Sequence, residues 1–378
     1  MANLTYINSA IFDHGAISQL GEVLEQQGIR RPLICTDPGL AKVGLLDKVR
    51  GAIPNSIQYA LFDRTPPNPT QEAVEEAIEL YRSEGCDGII GFGGGSSMDL
   101  GKAVGVLATH GGSIDEYSVT AEKAGFGAIV PLVAIPTTSG TGSEVSNGSV
   151  IIMKSGRKLI LGSPHIVPSA AICDPDLTLG LPPALTAGAG MDAMTHCIEA
   201  VLTPVINPPA EAVGLDGLER GFRNGHLRRA VADGSDPDAR WNMMMASTEG
   251  AMAFTKGLGA VHCMSHACGA LRDLGLHHGT LNGVILPSIL RFNAQVDGIE
   301  AKYARIARAM GLDESVDLAD FIEKSNAEIG LPPDLKSMGV TEDHVEFLVD
   351  HSLEDICNFT TPRQPTREEY EQLFAQLL

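Results

Sequence analysis

Hydrophobic positions run along this chain in two different rhythms. Up to about residue 180, short β-branched runs, RPLICTD (31–37), CDGIIGFGG (86–94) and AIVPLVAIPTT (128–138), each close on Gly, Pro, Asp or Thr. Between them, QEAVEEAIELYRSEG (71–85) and SMDLGKAVGVLATHGG (97–112) place apolar residues at helical spacing. This alternation predicts a parallel sheet with helices on its faces, and ligands bind at the carboxyl ends of such strands.

Past residue 181 the strand pattern stops. PPALTAGAGMDAMTHCIEAVL, PPAEAVGLDGLERGFRNGHLRRAVADG, PDARWNMMMASTEGAMAF and LADFIEKSNAEIGL read as helices opened by Pro or Asp and stopped by Gly. With 378 residues and no repeat or low-complexity tract, two domains are expected, an α/β unit over 1–180 and an all-helical unit over 181–378.

Composition narrows the partners. A formal net charge of −20 argues against nucleic acid and against an anionic membrane surface. No apolar run has the length of a membrane span, and MANLTYINSAIFDHG has no basic region followed by an apolar stretch. Seven cysteines without framework spacing suit free thiols, so a cytoplasmic protein is expected. Cys263 and Cys268 flank histidines, but no second pair matches them, and they read as packing residues.

Two loops carry candidate cofactor chemistry. IIGFGGGSSMDLGK (89–102) closes a strand with glycines and opens a helix at Ser96 or Ser97. Such a turn lets backbone N–H groups approach an anion at a helix N-terminus, which suits phosphate. It matches neither a Walker A loop nor GxGxxG, because Ser96 stands where each needs a glycine. AIPTTSGTGSEVS (134–146) ends the next strand with Thr137, Thr138, Ser139 and Thr141, donors for a phosphate or a nicotinamide amide. Asp37, ending an earlier strand, reads as an Asp-Pro-Gly turn or as a ribose-diol acceptor that favours NAD over NADP.

The helical half carries candidate metal chemistry. Asp192 and His196 stand four apart in GMDAMTHCIEA, so their Cβ atoms lie about 5–6 Å apart on one helix face. His262 and His266 repeat the spacing, and His277–His278 follow. Asp with several His suits Fe²⁺ or Zn²⁺, whereas calcium or magnesium would call for more oxygen ligands. Each pair alone reads better as core histidines and a helix carboxylate with local partners. Their clustering favours a metal site, though spacing leaves open which histidines join it.

In order along essentially the whole chain, GGGSSMDLGK, PTTSGTGSEVS, GMDAMTHCIEA and the GLGAVHCMSHACGA…HHGTLNGVILP block resemble the signatures of the iron-containing, or group III, alcohol dehydrogenases. The resemblance implies a Rossmann-like dinucleotide-binding domain followed by an all-α metal-binding domain, the dehydroquinate synthase-like plan, with the active site between them. It assigns metal ligands to Asp192, His196, His262 and His278, the last from the match of His278-Gly279 and Asn282 to HGxxN. His277 is the competing choice, because the segment before HHG is longer than the family's. His266 is implied near the nicotinamide, assisting proton movement as the catalytic group. Gly94, Gly95 and Ser96 are implied at the pyrophosphate, Thr137 and Thr138 by the nicotinamide half and Lys158 by its ribose. Asn68 and Asp37 match further cofactor positions.

The activity so implied is reversible hydride transfer between a small primary alcohol and NAD, rather than NADP, with Fe²⁺ the first choice of metal and Zn²⁺ the second. A homodimer or larger oligomer is the usual family state. The alternatives are a metal-dependent cyclase or lyase of the dehydroquinate-synthase type, which uses NAD transiently, and a metal-bound protein without turnover. A maleylacetate-reductase-like enzyme would lack the full ligand set. Lys256, Arg272 and His277 are candidates to attract an anionic aldehyde, or else are solvated or ion-paired residues.

Overall fold

The computed structural model describes residues 8–121 and 125–378. Six strands, β1 (Ser9–Phe12), β2 (Pro32–Cys35), β3 (Ala60–Phe62), β4 (Gly88–Gly93), β5 (Leu132–Pro136) and β8 (Ala170–Cys173), form one sheet. Their order is β1-β8-β5-β4-β2-β3 and every pairing is parallel. β6 (Gly148–Ile152) and β7 (Lys158–Gly162) make a separate antiparallel hairpin.

The uninterrupted apolar runs have a direct cause in this sheet. Leu33, Ile89, Leu132 and Ala134 point into the core on one face, while Ile34, Ile90, Phe92, Val133 and Ile135 point into the core on the other. Side chains alternate faces along a strand, so a sheet covered on both sides needs apolar residues at consecutive positions. The helix Gln71–Ser83 is capped by Thr70, whose hydroxyl accepts from Ala73 N at 3.3 Å.

Beyond Cys173 the described chain is helical. The helices Pro183–Leu202, Pro208–Leu218 and Pro237–Ala253 each open on proline, whose fixed φ and missing N–H suit a first turn. The first of these is buried continuously from Thr186 to Leu202. A helix enclosed all round cannot send its polar side chains to water, so each must find a partner inside.

Residues 8–138 with Gly142–Thr178 form one compact unit, and Ser139–Thr141 with Leu179–Leu378 form the other. The tripeptide belongs with the helices because Gly140 lies against Pro183–Leu202, where a Cβ would come 2.8 Å from Ala189 O.

One buried carboxyl in the helical unit links folding to pH. Burial, helped by Asp216, pushes Glu249 from 4.5 up to about 8, against the pull of Arg220. The native state therefore holds this proton where the unfolded chain has released it. The stabilisation is complete below pH 4.5 and is lost as pH rises through 8. Glu249→Gln keeps the shape and removes the titration, so urea unfolding between pH 5 and 9 should give the variant the flatter profile; parallel profiles would refute this.

Candidate metal centre

The buried helix Pro183–Leu202 presents Asp192, His196 and Glu199 at i, i+4 and i+7. His262 comes from the helix Ala260–Gly269, and His278 opens the helix His278–Asn293, which also carries Asn282. Oδ1 of Asp192 lies 3.7 Å from Nε2 of His196, 4.0 Å from Nε2 of His262 and 3.6 Å from Nε2 of His278. The His196 and His262 rings stack with centroids 4.8 Å apart.

Burial pushes His196 down to about 4, so its ring is neutral at pH 7 and offers a lone pair. Glu199 holds His262 from behind, its Oε2 2.6 Å from Nδ1 while Oε1 accepts from Val261 N at 2.9 Å. With the proton on Nδ1, Nε2 of His262 turns its lone pair toward Asp192. A carboxylate behind a ligating histidine fixes its tautomer and raises its basicity.

Asp192, His196 and His262 thus form a tight buried group, and His278, partly exposed, brings a nitrogen to Asp192 from its edge. The donor beside them is Asn282, whose Nδ2 lies 2.7 Å from Asp192 Oδ1, 3.1 Å from His262 Nε2 and 3.2 Å from His278 Nε2. Its two hydrogens cannot satisfy three acceptors and His196 as well. Ligands about 2.0–2.2 Å from a tetrahedral ion stand roughly 3.3–3.6 Å apart, close to the three separations measured from Asp192 Oδ1. One carboxylate with neutral imidazoles is therefore a fitting donor set for a divalent first-row ion.

The two histidines of HHG divide their roles. Nε2 of His278 faces Asp192, whereas Nδ1 of His277 caps the helix, 3.3 Å from Thr280 N. His277→Ala should cost about 1 kcal/mol of stability, a lost cap, and leave metal content intact. His278→Ala should empty the site; metal analysis after dialysis separates the two, and the reverse pattern would exchange the assignments.

His266 lies beside this cluster, its ring stacked on that of His278 at 5.3 Å. Its Nδ1 is 2.8 Å from Asp355 Oδ2, and Asp355 Oδ1 accepts from Cys357 N at 2.8 Å. Burial alone would raise the Asp355 carboxyl, yet His266 and the Cys357 amide hold it down at about 2.

In the sheet unit, most of the predicted cofactor residues follow successive strand ends. Asp37 stands after β2, Asn68 after β3, Gly94–Ser96 after β4 and Thr137–Thr138 after β5. Asp37 is half-buried and caps the helix Pro38–Lys42, its Oδ1 accepting from Gly39 N at 2.8 Å and Leu40 N at 3.1 Å. The glycine-turn helix begins at Gly95, with Gly94 as its cap, one residue earlier than expected. The preceding Gly93 has φ +146°, and a Cβ there would meet Ser97 Oγ at 2.6 Å. Ser96 donates its hydroxyl to Pro67 O, next to Asn68. Thr137 N donates to Gly93 O at 2.9 Å, so the two turns abut. Lys158 begins β7 on the hairpin, near enough for its charge to act on Asp99 of the glycine-turn helix.

Sequence reasoning passed over several residues here. Lys102 is buried and donates to Ser146 O at 3.0 Å and Gly148 O at 2.8 Å; Asp99, one turn earlier, accepts from Ser143 Oγ at 2.7 Å and Val150 N at 2.9 Å. Together they pin residues 143–150 to the helix Gly95–His110. Glu199 was legible as the i+7 partner of Asp192; Asp355 had no local signal.

Of the two readings of Lys256, the ion-paired one holds, although the residue is buried rather than solvated. Lys256 attracts no anionic aldehyde: it is buried, and its Nζ donates to Ala200 O at 3.1 Å, Thr203 O at 3.0 Å and Glu211 Oε1 at 2.7 Å. It closes the C-terminal end of the helix that carries Asp192. Arg272 and His277 are exposed. All seven cysteines are free thiols.

A family model described as "Iron-containing alcohol dehydrogenase" matches residues 8–175, and "Fe-containing alcohol dehydrogenase family, C-terminal" matches residues 186–378. A 4-hydroxybutyrate dehydrogenase of Cupriavidus necator is 47% identical over 100% of both chains. A 1,3-propanediol dehydrogenase of Citrobacter freundii is 37% identical over 98% of this chain and 97% of its own. The crystal structure of a 1,3-propanediol oxidoreductase superposes with a TM-score of 0.91 at 35% identity, covering 100% of each chain.

Proposed function

The chain belongs to the iron-containing alcohol dehydrogenase family, and we propose that Asp192, His196, His262 and His278 hold its metal for reversible oxidation of a short primary alcohol. It is an NAD-linked alcohol dehydrogenase with an iron ion as family cofactor. The observation that carries the site assignment is the convergence of one carboxylate and three imidazole nitrogens within 4.0 Å of Asp192 Oδ1. The cyclase alternative is not favoured, since the full-length relatives are dehydrogenases.

An ion held there supplies a Lewis acid that acidifies an alcohol hydroxyl and polarises an aldehyde carbonyl. The protein's own part is to keep the ligands in the right protonation state. Glu199 keeps the His262 proton on Nδ1, and Asn282 donates to the Asp192 carboxylate. Asp355 holds His266 in place through Nδ1, and His266 is the proposed group that takes up or releases the alcohol proton.

In the sheet unit, the amide-rich turn at Gly94, Gly95 and Ser96 is the proposed pyrophosphate seat. Thr137, Thr138, Lys158, Asn68 and Asp37 complete the proposed cofactor contacts, and Asp37 favours NAD over NADP. The free thiols suit a cytoplasmic protein, and a homodimer or larger assembly is proposed; among the described residues no helix is long and apolar enough to cross a membrane. The 47% identity to a 4-hydroxybutyrate dehydrogenase puts ω-hydroxy acids first among the primary alcohols to test.

The test is anaerobic. Protein stripped with chelator receives Fe²⁺, Zn²⁺ or nothing, and reduced-cofactor absorbance is followed with 4-hydroxybutyrate, propane-1,3-diol and short alcohols. Turnover restored by Fe²⁺ and absent in His262→Ala is expected. Equal turnover without metal would remove the assigned role from all four ligands.

A further inference from the structure

Arg240 heads the fully buried side chains by volume, at 2% exposure in the first turn of the helix Pro237–Ala253. Its Nε donates to Gly234 O at 2.9 Å, one terminal nitrogen to Thr186 Oγ1 at 2.9 Å and the other to Leu181 O at 3.1 Å. All three acceptors are neutral, whereas the buried Lys256 has Glu211. Asp233 supports the guanidinium charge from a distance, but burial outweighs it and pulls the pKa down. A buried cation without an ion-pair partner is costly unless something neutralises it.

Beside the guanidinium is a small cavity. Ser139 lines it at 7% exposure, and its Oγ has no hydrogen-bond partner. Leu181, Ala189 and Met243 supply apolar walls. Two helix N-termini, at Pro183 and Pro237, bring their first turns to the same place through Thr186 and Arg240. Helix N-termini favour negative charge. A guanidinium has five N–H donors, and three acceptors account for only part of them.

We infer that this cavity binds a small monovalent anion of halide size, chloride in the first instance, between Arg240 and the Ser139 hydroxyl. Water would fill the space without balancing the charge, which a small anion does. Ser139 follows Thr137 and Thr138 directly in the chain, and Ala189 lies one turn before Asp192. The anion therefore ties the turn at Ser139–Thr141 to the start of the metal-bearing helix.

The iron-loaded enzyme is prepared in sodium gluconate and titrated with chloride or bromide at constant ionic strength while Tm is read. A saturable rise of a few degrees is expected for both halides. Ser139→Ala should weaken the apparent halide Kd about tenfold. Crystals grown in bromide should show anomalous scattering between Arg240 and Ser139, a readout that survives if Arg240 variants fail to fold. A Tm that follows ionic strength alone, a halide effect untouched by Ser139→Ala, or a water without anomalous signal at that position would each overturn the proposal.

Discussion

Asp192→Asn should leave a folded protein that neither retains iron through dialysis nor turns over alcohol. Asp192 supplies the only formal negative charge among the four proposed ligands, and the amide replaces it at equal size. Three neutral imidazoles then face the ion alone, with Asn282 Nδ2 still placed among them. Losing a Lewis acid worth several kcal/mol to the reaction corresponds to a rate fall of about 10³-fold or more. Glu199→Gln is the informative companion. It leaves every ligand in place but weakens the hold on the His262 Nδ1 proton, so metal affinity should fall about 10–100-fold while kcat at saturating iron stays near wild type. Metal analysis together with reduced-cofactor absorbance reads both effects. An Asp192→Asn enzyme with full iron and full rate would end the assignment.

Lys256→Met should destabilise the helical unit by about 3 kcal/mol, the scale for breaking one side of a buried pair. Nζ meets the carbonyls of Ala200 and Thr203 and the Glu211 carboxylate within 3.1 Å. Burial pushes the Glu211 carboxyl up, yet Lys256 and Arg305 together hold it below its ordinary value. Methionine fills the space and leaves the Ala200 carbonyl unmet, Thr203 O with Lys302 and Glu211 with Arg305 alone. The urea midpoint should drop at unchanged m, and because this helix also presents Asp192 and His196, metal affinity should fall with it. A midpoint equal to wild type would mean that water replaces the ammonium without loss.

The local periodicities of this chain determined a good deal by themselves. Short β-branched apolar runs at 31–37, 86–94 and 128–138, closed by turn residues, fit a sheet covered on both faces, and helical spacing after 181 set the character of the second unit. The glycine turn at 93–95 and the i, i+4 pairs Asp192–His196 and His262–His266 are likewise properties of a few neighbouring residues. The strands β1, β3 and β8 and the β6–β7 hairpin stayed unread; pairing with partners elsewhere in the chain makes them strands.

Which partner each polar group takes was settled only in three dimensions. His277 and His278 are adjacent in sequence, yet the start of one helix turns one ring to its own backbone and the other toward Asp192. Asp355 meets His266 across 89 positions, and no local spacing foretells that pair. Lys256, a candidate for an anionic substrate in the sequence, is instead the cap of a buried helix, and Arg240 is enclosed against three neutral acceptors. Periodicity reports which face of an element is apolar, a short-range property. The fate of a buried charge depends on what the rest of the chain brings to meet it.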